Sequence, residues 1–393
     1  MLHEVSDSQS NARELLLGNI DAVRDILAAQ VAGEEASGQL SRESSDALYN
    51  AGVLQMKLPG VLGGHEADLV TQFEVLEKLA TINPAAAWCA MVGATSLGMP
   101  GAFLPDGGID RMFAGGRIPR GAILIMPSGK AVPESGGYRL SGRWAFASGV
   151  HHAEWISAHG LVQESGDAPP RLYMFAFPAA EITIHDNWDV LGLRGTGSCD
   201  ISVDNIFVPA DCAWDVEAQP PQRGGPLYRL GIPAFVAYEH AAFATGIARR
   251  ALDTVTELAK TKKRGYGPGA KALAERESVQ RLIGHSELKL RSARSLAVDL
   301  NQQAMDVINA GGNIDPELAL ELRSTAVYCT EVAGEIITDA FRYAGASSIY
   351  EGNEMQRCLR DINVAAQHLM VSTSAYEQLG KVRLGSGDVE IMG

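Results

Sequence analysis

Two glycine-containing segments in the middle of the chain contain residue types that could bind a planar or phosphorylated ligand. Gly192–Ser198 reads GLRGTGS, which is similar to the glycine-rich turn that cradles dinucleotide phosphates. That turn needs a strand before it and a helix after it, whereas the strand-like segment Cys199–Val208 follows here. We therefore reject dinucleotide binding for this segment and predict a turn between strands.

The second segment, Gly142–Gly149 (GRWAFASG), is predicted to be a strand that ends in small residues. Ala147, Ser148 and Gly149 would let the backbone approach a planar ligand closely. A strand that meets an ordinary turn would contain the same residue types. This pattern alone therefore does not identify a binding site.

The chain has nine histidines and many carboxylates that could act as acids or bases, and their types alone do not single out His368 or Glu239. An imidazole exchanges its proton near neutral pH, so His368 could act as a general acid or base, although a single helical histidine is more often structural. Glu239 could remove a proton, line a pocket or lie on a helix surface. His151 and His152 could suggest metal binding, but adjacent residues on a strand point to opposite faces. We predict no metal site.

The pattern of apolar residues changes twice along the chain and predicts an α+β fold. Residues 1–118 are predicted to be helical, because apolar residues recur there at three- and four-residue spacing. Residues 119–225 contain short segments rich in β-branched and aromatic residues, separated by turn residues, and predict an antiparallel β domain. The helical period of residues 1–118 is set by Leu16, Ile20, Val23 and Ile26.

Residues 226–393 form the third predicted domain, a four-helix bundle. Asp315 followed by Pro316 is a typical helix start, because aspartate caps a helix and proline fits its first turn. Asn353 could cap the last helix. The predicted helices are 233–263, 275–310, 316–344 and 354–380.

Composition excludes several classes of protein. The net charge of −14 argues against nucleic acid or an anionic membrane as a partner. No apolar stretch is long enough to span a bilayer, and the N-terminus does not resemble a signal peptide. The five cysteines are widely spaced and odd in number, which fits a cytoplasmic protein without a disulfide framework.

Four segments of the chain resemble the acyl-CoA dehydrogenase superfamily. The resemblance implies that superfamily's fold: an N-terminal helical domain, a central β domain and a C-terminal four-helix bundle. It also implies a homotetramer. The segments are YRLSGRWAFASGVHHAEW, DNWDVLGLRGTGSCDISVDNIFVPAD, EHAAFATGIARRALD and ASSIYEGNEMQRCLRDINVAAQHLM, in the order and spacing of the superfamily.

In that superfamily the flavin ring lies between the β domain and the bundle, and subunits share cofactor contacts across an interface. The resemblance implies flavin contacts in the two glycine-containing segments, at Phe146, Ala147, Ser148, Gly149, Arg194, Thr196 and Ser198. The candidates for contacts across the interface are Arg264, Tyr343, Gly345 and Ala346. Arg264 is equally well explained as a solvated charge.

The dehydrogenases of the superfamily use a carboxylate that follows an Arg-Asp pair in the last part of the bundle. Here the pair is Arg360-Asp361, and Glu351 lies before it, so the usual base is absent. The segment RDINVAAQH instead resembles the oxygenase components of two-component (group D) flavin monooxygenases, which include dibenzothiophene, 4-hydroxyphenylacetate and indole-type enzymes. Glu239 keeps an acyl-CoA dehydrogenase or oxidase open as an alternative. An amine N-oxygenase and a scaffold without flavin are further alternatives.

The monooxygenase resemblance implies reduced FAD or reduced FMN, delivered by a separate NAD(P)H-flavin reductase, with O2 as co-substrate. It implies a C4a-hydroperoxyflavin, held by Ser148, and a catalytic role for His368, which would keep the distal oxygen protonated or accept a substrate proton. Phenol hydroxylases of this group have a further histidine after the tryptophan that corresponds to Trp88, where this chain has Thr95 or Ser96.

The missing histidine favours a substrate that is electron-rich while neutral, such as an indole or another small aromatic or heteroaromatic compound. Aromatic and apolar side chains could form the walls of its pocket, although core packing explains any one of them. The candidate substrate-binding residues are Trp88, Met91, Thr95, Phe235 and Glu239.

Overall fold

Two compact units make up the part of the chain that the structure describes. The structure is a computed structural model and describes residues 2–163, 169–264 and 271–392, with the side chains of 2–10, 264 and 271 outside the description. The first unit comprises Met1–Ala67, Trp88–Val190 and Arg194–Arg229, and the second comprises Asp68–Ala87, Leu191–Leu193 and Leu230–Gly393. The three predicted domains, with boundaries near residues 118 and 225, stay a prediction.

The helices near the N-terminus are α1 (Leu2–Ser37), α2 (Arg42–Asn50), α3 (Leu69–Ile82), α4 (Pro84–Phe103) and α5 (Asp106–Met112). Ser41 caps α2, because its side chain accepts a hydrogen bond from the Ser44 N–H. Leu16 and Ile20 of α1 are buried as predicted, but Ile26 is 46% exposed and Leu27 is buried instead. The apolar face of α1 therefore continues one residue later than the pattern predicted.

Seven strands of the first unit form one sheet, in the order β5-β6-β2-β1-β3-β4-β7. All neighbouring pairs of this sheet are antiparallel except β1 and β3, which are parallel. The sheet is therefore mixed, and not purely antiparallel as the sequence predicted. The strands are β1 (Gly121–Glu134), β2 (Gly137–Trp144), β3 (Trp155–Val162), β4 (Arg171–Pro178), β5 (Thr183–His185), β6 (Asp200–Pro209) and β7 (Ala213–Asp215).

The parallel pair explains why the chain makes a long turn after β2. Strand β2 pairs with one side of β1, and β3 pairs with the other side, so the chain has to cross the end of β1 between them. Residues 145–154 make this crossing and include the predicted flavin-binding segment. Strand β1 has a register shift between Leu124 and Gly129 where it pairs with β3, which interrupts the alternation of its apolar residues.

The second unit contains α3 and the bundle helices α6 (Ala237–Thr261), α7 (Glu277–Asn309), α8 (Pro316–Ala344), α9 (Glu354–Ala365) and α10 (Ser374–Arg383). The predicted caps are confirmed: Asp315 accepts from the Leu318 N–H, and Asn353 accepts from the Met355 N–H. A short strand pair, β8 (Lys263–Arg264) and β9 (Lys271–Ala272), follows α6. Within the described residues, every helix is too short or too polar to cross a membrane.

The predicted fourth bundle helix is broken, and His368 lies at the break. Helix α9 ends at Ala365, a 3-10 turn occupies Leu369–Val371, and α10 begins at Ser374. The His368 ring accepts a hydrogen bond from the Met370 N–H, and such side-chain bonds to nearby backbone groups compete with helix formation. His368 is therefore not on a continuous helix, as the sequence had predicted.

Candidate active site

A chain of hydrogen bonds connects four of the predicted site residues in the first unit. Trp88 Nε1 donates to Ser148 Oγ at 3.2 Å. Ser148 Oγ lies 2.7 Å from Ser198 Oγ, which in turn lies 2.7 Å from Thr196 Oγ1. All four residues are buried, and Ser148 is only 5% exposed. Trp88 is predicted to line the substrate pocket, and it is thus hydrogen-bonded to Ser148 of the predicted flavin-binding turn.

The backbone of the turn after β2 is fixed by the GLRGTGS segment. The Ala147 N–H donates to the Cys199 carbonyl, and the Gly149 N–H donates to the Thr196 carbonyl, both at 3.0 Å. Gly149 has a φ of +73°, which glycine adopts at little cost. The two segments that the sequence analysis singled out are therefore bound to each other.

Phe146 carries the conformational strain of this turn. Its φ is +68°, a region that costs a non-glycine residue about 1–3 kcal/mol and is concentrated at functional sites. Its ring is 68% exposed and lies edge-on to Trp188, with ring centroids 6.2 Å apart. The exposed Phe146 ring and the buried Ser148 hydroxyl, two residues apart, are suited to a planar ligand with a polar edge. A flavin ring is such a ligand.

Arg194 is engaged with the protein backbone within the first unit. Its Nε donates to the Glu35 carbonyl at 3.2 Å, and its Nη1 donates to the Val190 carbonyl at 3.5 Å. These bonds anchor the guanidinium on α1 at the base of the GLRGTGS turn. Its predicted contact with flavin stays a prediction.

Two imidazoles meet in the second unit. The rings of His240 on α6 and His368 at the helix break lie 4.3 Å apart between centroids and are tilted by 31°. His240 is buried. The sequence analysis gave it no role, because the two histidines are far apart in the chain and only the packing of α6 against the break brings them together.

The protonation state of His368 follows from its surroundings. Burial lowers the pKa of the imidazole to about 4, so the ring is neutral at pH 7. Its Nδ1 accepts from the Met370 N–H at 3.2 Å and therefore carries no proton. The proton of the neutral ring is on Nε2, which makes that atom a hydrogen-bond donor.

Glu239 and Phe235 are both buried in the second unit, near the start of α6. Tyr238, the residue before Glu239, donates a hydrogen bond to Gln72 on α3. Burial and then the charge of Glu239 raise the pKa of the Tyr238 phenol well above its usual value. Glu239 is therefore an interior residue, and a position on the helix surface, one of its three predicted uses, is wrong.

The predicted interface residues lie near the end of α8. Gly345 ends that helix with a φ of +78°, and Ala346 begins a 3-10 turn. Tyr343 packs against the small core of Ala259 and its neighbours. Arg264 pairs through its backbone with β9, but its side chain lies outside the described residues. Their roles toward a cofactor stay predictions.

Lys57 and Thr95 form a buried polar pair that the sequence analysis missed. Lys57 Nζ donates to Thr95 Oγ1 at 2.9 Å, and both residues are buried in the first unit. A lysine between two apolar residues in the sequence gives no signal of such a pair. Met91, the remaining predicted substrate residue, is buried on the same helix as Thr95.

His151 and His152 lie in a 3-10 turn and not on a strand. His152 Nε2 lies 2.7 Å from the Leu40 carbonyl, and His151 Nε2 lies 3.6 Å from Cys199 Sγ. Among the described residues there is no group of three potential ligands that could hold a metal ion. All five cysteines are buried free thiols.

Asp361 fixes the beginning of the GLRGTGS segment within the second unit. Its Oδ1 accepts from the Leu193 N–H at 2.6 Å, and Leu193 has a φ of +52°. A Cβ at Gly192 would lie 2.4 Å from the Arg360 carbonyl carbon, so only glycine fits there. Asp361 therefore positions Leu193 within the second unit.

We expect replacement of Asp361 with alanine to lower the free energy of unfolding by about 2–3 kcal/mol, because the buried Leu193 N–H loses a charged acceptor. Asp361→Asn keeps an accepting oxygen and is expected to cost about 1 kcal/mol. Chemical denaturation of both variants measures the difference. Glu351→Ala, at an exposed position, is the control. Equal stability of the three variants would contradict the positioning role.

Comparison with known proteins identifies the class of this fold. Residues 238–373 match the family model described as Acyl-CoA dehydrogenase, C-terminal domain. The structure of XiaF from Streptomyces sp. in complex with FADH2 and glycerol superposes with a TM-score of 0.88 and 23% identity, covering 97% of this chain and 98% of that one. The fold is therefore that of the acyl-CoA dehydrogenase superfamily, which confirms the resemblance.

Two relatives that match along almost the whole chain are named as monooxygenases, and the name of one includes flavin dependence. The chain is 28% identical over 374 residues to an indole-3-acetate monooxygenase of Pseudomonas putida, covering 93% of this chain and 92% of the relative. It is 25% identical over 357 residues to the flavin-dependent monooxygenase, oxygenase subunit HsaA, of Rhodococcus jostii (strain RHA1), covering 89% and 92%. Both relatives are oxidoreductases. The name of the Rhodococcus jostii protein describes it as an oxygenase subunit.

Proposed function

We propose that this chain is the oxygenase component of a two-component, reduced-flavin-dependent monooxygenase that acts on a small aromatic or heteroaromatic compound. The observation that carries the proposal is the buried Trp88–Ser148–Ser198–Thr196 hydrogen-bond chain at the strained turn after β2. The names of the relatives support the same reaction. One oxygen atom of O2 goes to the substrate, and the other leaves as water.

The cofactor is reduced FAD or reduced FMN, delivered by a separate NAD(P)H-flavin reductase. Its reduced ring supplies two electrons and activates O2. We propose that the residues of the turn, Phe146 to Gly149, with Thr196 and Ser198, hold this ring. Arg264, Tyr343, Gly345 and Ala346 would complete the site across the interface of a homotetramer, and we expect the enzyme to work beside its reductase in the cytoplasm.

Ser148 and His368 have different tasks in this proposal. The Ser148 hydroxyl, fixed by Trp88 and Ser198, holds a hydrogen bond at the polar edge of the ring. The neutral His368 donates from Nε2 and keeps a proton at the reacting oxygen. A donor, rather than a base, at this position fits a substrate that reacts without first losing a proton.

The experiment supplies reduced FAD, or reduced FMN, through a flavin reductase and NADH, and offers a panel of indoles and phenols. Consumption of substrate, with incorporation of one oxygen atom from labelled O2, is the expected result. Release of all consumed O2 as H2O2 with every substrate would argue against a monooxygenase. Anaerobic bleaching of bound oxidised FAD by an acyl-CoA, lost in Glu239→Gln, would instead establish a dehydrogenase.

The fraction of O2 used for product should be constant between pH 6 and pH 8. The pKa of His368 is about 4, so the ring stays neutral throughout this range, whereas a histidine with the usual value near 6.5 would change its charge within it. Product and H2O2 are measured together at each pH, with flavin supply held constant. A change in this fraction centred near pH 6.5 would contradict the assigned protonation state.

A further inference from the structure

Arg323 of α8 is a positive charge in the interior of the second unit. The residue is 0% exposed, and an arginine stays protonated at neutral pH. A buried charge is costly unless hydrogen bonds compensate for the loss of water. The segments that supply these hydrogen bonds are therefore held firmly against the guanidinium group.

The guanidinium group joins α8 to three other segments of the second unit. Its Nη1 donates to the Ile391 carbonyl at 2.8 Å. Its Nη2 donates to the Leu369 carbonyl at 3.2 Å and to Ser374 Oγ at 3.4 Å. Leu369 directly follows His368, and Ser374 begins α10. Arg323 thus bonds the turn at the helix break, the start of α10 and the residues that follow α10.

Residues 384–392, called the tail segment below, follow α10 and return to the body of the second unit. Most of the tail segment is exposed, but its last described residues are partly buried. The Glu390 N–H donates to Gln378 Oε1 at 3.0 Å, and Gln378 of α10 is itself buried. The next residue, Ile391, is the one that accepts from Arg323. Two successive residues therefore fix the tail segment to the same guanidinium group that holds the turn.

The surroundings of His368 depend on this arrangement, because the residue is only partly buried. The turn that follows it packs against α6 and α8. From α6, the ring of His240 lies against the imidazole. From α8, the charge of Arg323 lies beyond the Leu369 carbonyl. A movement of the turn would admit water to the imidazole, and burial is what lowers the pKa of His368.

We propose that Arg323 is a positioning residue for His368: by holding the Leu369 carbonyl and the tail segment together, it keeps the helix break closed around the imidazole. The inference rests on the proposed function, in which His368 keeps a proton at the reacting oxygen. It assigns α8 and the tail segment a part in coupling O2 use to product. Arg323 acts through the backbone of the turn and has no chemical step of its own.

Hydrogen–deuterium exchange of residues 366–374 tests this arrangement without turnover. Arg323→Met removes the donors and should speed exchange in this segment by about 10-fold. Arg323→Lys keeps the charge but not the fork of donors, so it should restore part of the protection. Gln378→Ala releases the tail segment at Glu390 and leaves Arg323 in place. It should speed exchange in the same segment to a smaller extent.

Arg383→Met is the matched control. Arg383 also joins α10 to α8, through ion pairs with Glu317 and Glu321. Both partners lie on α8, and the Arg383 side chain is 61% exposed. Loss of an exposed ion pair changes stability little. Exchange of residues 366–374 should therefore stay the same in Arg383→Met as in the unchanged protein.

The pH profile of coupling separates a role toward His368 from a purely structural one. In Arg323→Met, water reaches the imidazole, and the pKa of His368 should rise towards the usual value near 6.5. As the pH falls, the ring then gains a proton on Nδ1 and loses its bond from the Met370 N–H. The fraction of O2 used for product should therefore drop severalfold between pH 8 and pH 6. Arg383→Met should keep the constant fraction expected of the unchanged protein.

Two results would overturn the proposal. One is exchange of residues 366–374 in Arg323→Met that stays unchanged, or that rises equally throughout the second unit. The other is faster exchange with a constant and unreduced fraction of O2 used for product. Absence of product in the unchanged protein would instead refute the proposed function, and exchange would still show whether Arg323 holds the turn. If Arg323→Met fails to fold, Arg323→Lys and Gln378→Ala decide by the same two measurements.

Discussion

Replacing His368 with alanine is expected to turn most of the consumed O2 into H2O2 and to lower the rate of oxygen transfer by about 100-fold. Removing one preorganised hydrogen-bond donor from a reacting site typically costs a factor of about 100 to 1,000, and this substitution removes the Nε2 donor. Flavin oxidation itself should continue, because the hydroxyl chain at Ser148 is untouched. Product and H2O2 are measured together, with reduced flavin in excess.

His368→Gln distinguishes a donor from a base. A glutamine amide can donate a hydrogen bond where Nε2–H does, but it cannot accept a proton at neutral pH. Partial recovery of product in His368→Gln over His368→Ala is therefore expected if His368 is a donor. Equal loss in both variants would favour a base instead. Product formation in His368→Ala at the level of the unchanged protein would remove the histidine from the mechanism.

The neighbouring ring of His240 provides a second check on the role of His368. His240→Phe keeps an aromatic ring 4.3 Å from His368, whereas His240→Ala removes it and lets the His368 ring turn. We expect His240→Phe to couple O2 use to product nearly as well as the unchanged protein, and His240→Ala to release several times more H2O2. Thermal unfolding of both variants excludes a loss of folded protein as the cause.

Ser148→Ala is the second substitution with a large expected effect. Removing one preorganised hydrogen-bond donor from a reacting site typically costs a factor of about 100 to 1,000. The buried hydroxyl also links Trp88 to Ser198, so its loss disorders the whole chain of hydrogen bonds. We expect product formation to fall by at least about 100-fold, with O2 consumption retained as H2O2 release. Quenched-flow analysis of single turnovers measures both products.

Two further variants show whether the hydrogen-bond chain acts as a unit. Trp88→Phe removes the indole N–H that fixes Ser148. This variant should also form less product and release more H2O2, but to a smaller extent than Ser148→Ala. Ser157→Ala removes a buried hydroxyl from β3 of the same unit and should leave product formation unchanged. If Ser148→Ala formed product normally, the proposed site would lie elsewhere in the protein.

The sequence by itself determined many of the elements of this protein and supplied the candidate residues of the site. The caps at Asp315 and Asn353 start their helices where predicted, because capping depends on residues two or three apart. The segments GRWAFASG and GLRGTGS were recognisable for the same reason. In each of them, neighbouring glycines and other small residues favour a turn, and this preference depends on only a few consecutive residues. The resemblance of these two segments to the superfamily was therefore enough to name Ser148, Thr196 and Ser198 as candidates.

Only the tertiary structure decided which of these residues touch. The pairing of β1 with β3, the His240–His368 contact and the Lys57–Thr95 bond all join segments that are far apart in the sequence. No local propensity encodes such pairs, because their stability comes from burial and hydrogen bonding between elements that pack only in the folded chain. The contact between His240 and His368 therefore follows from the folded structure and could not be predicted from the spacing of apolar residues in the sequence.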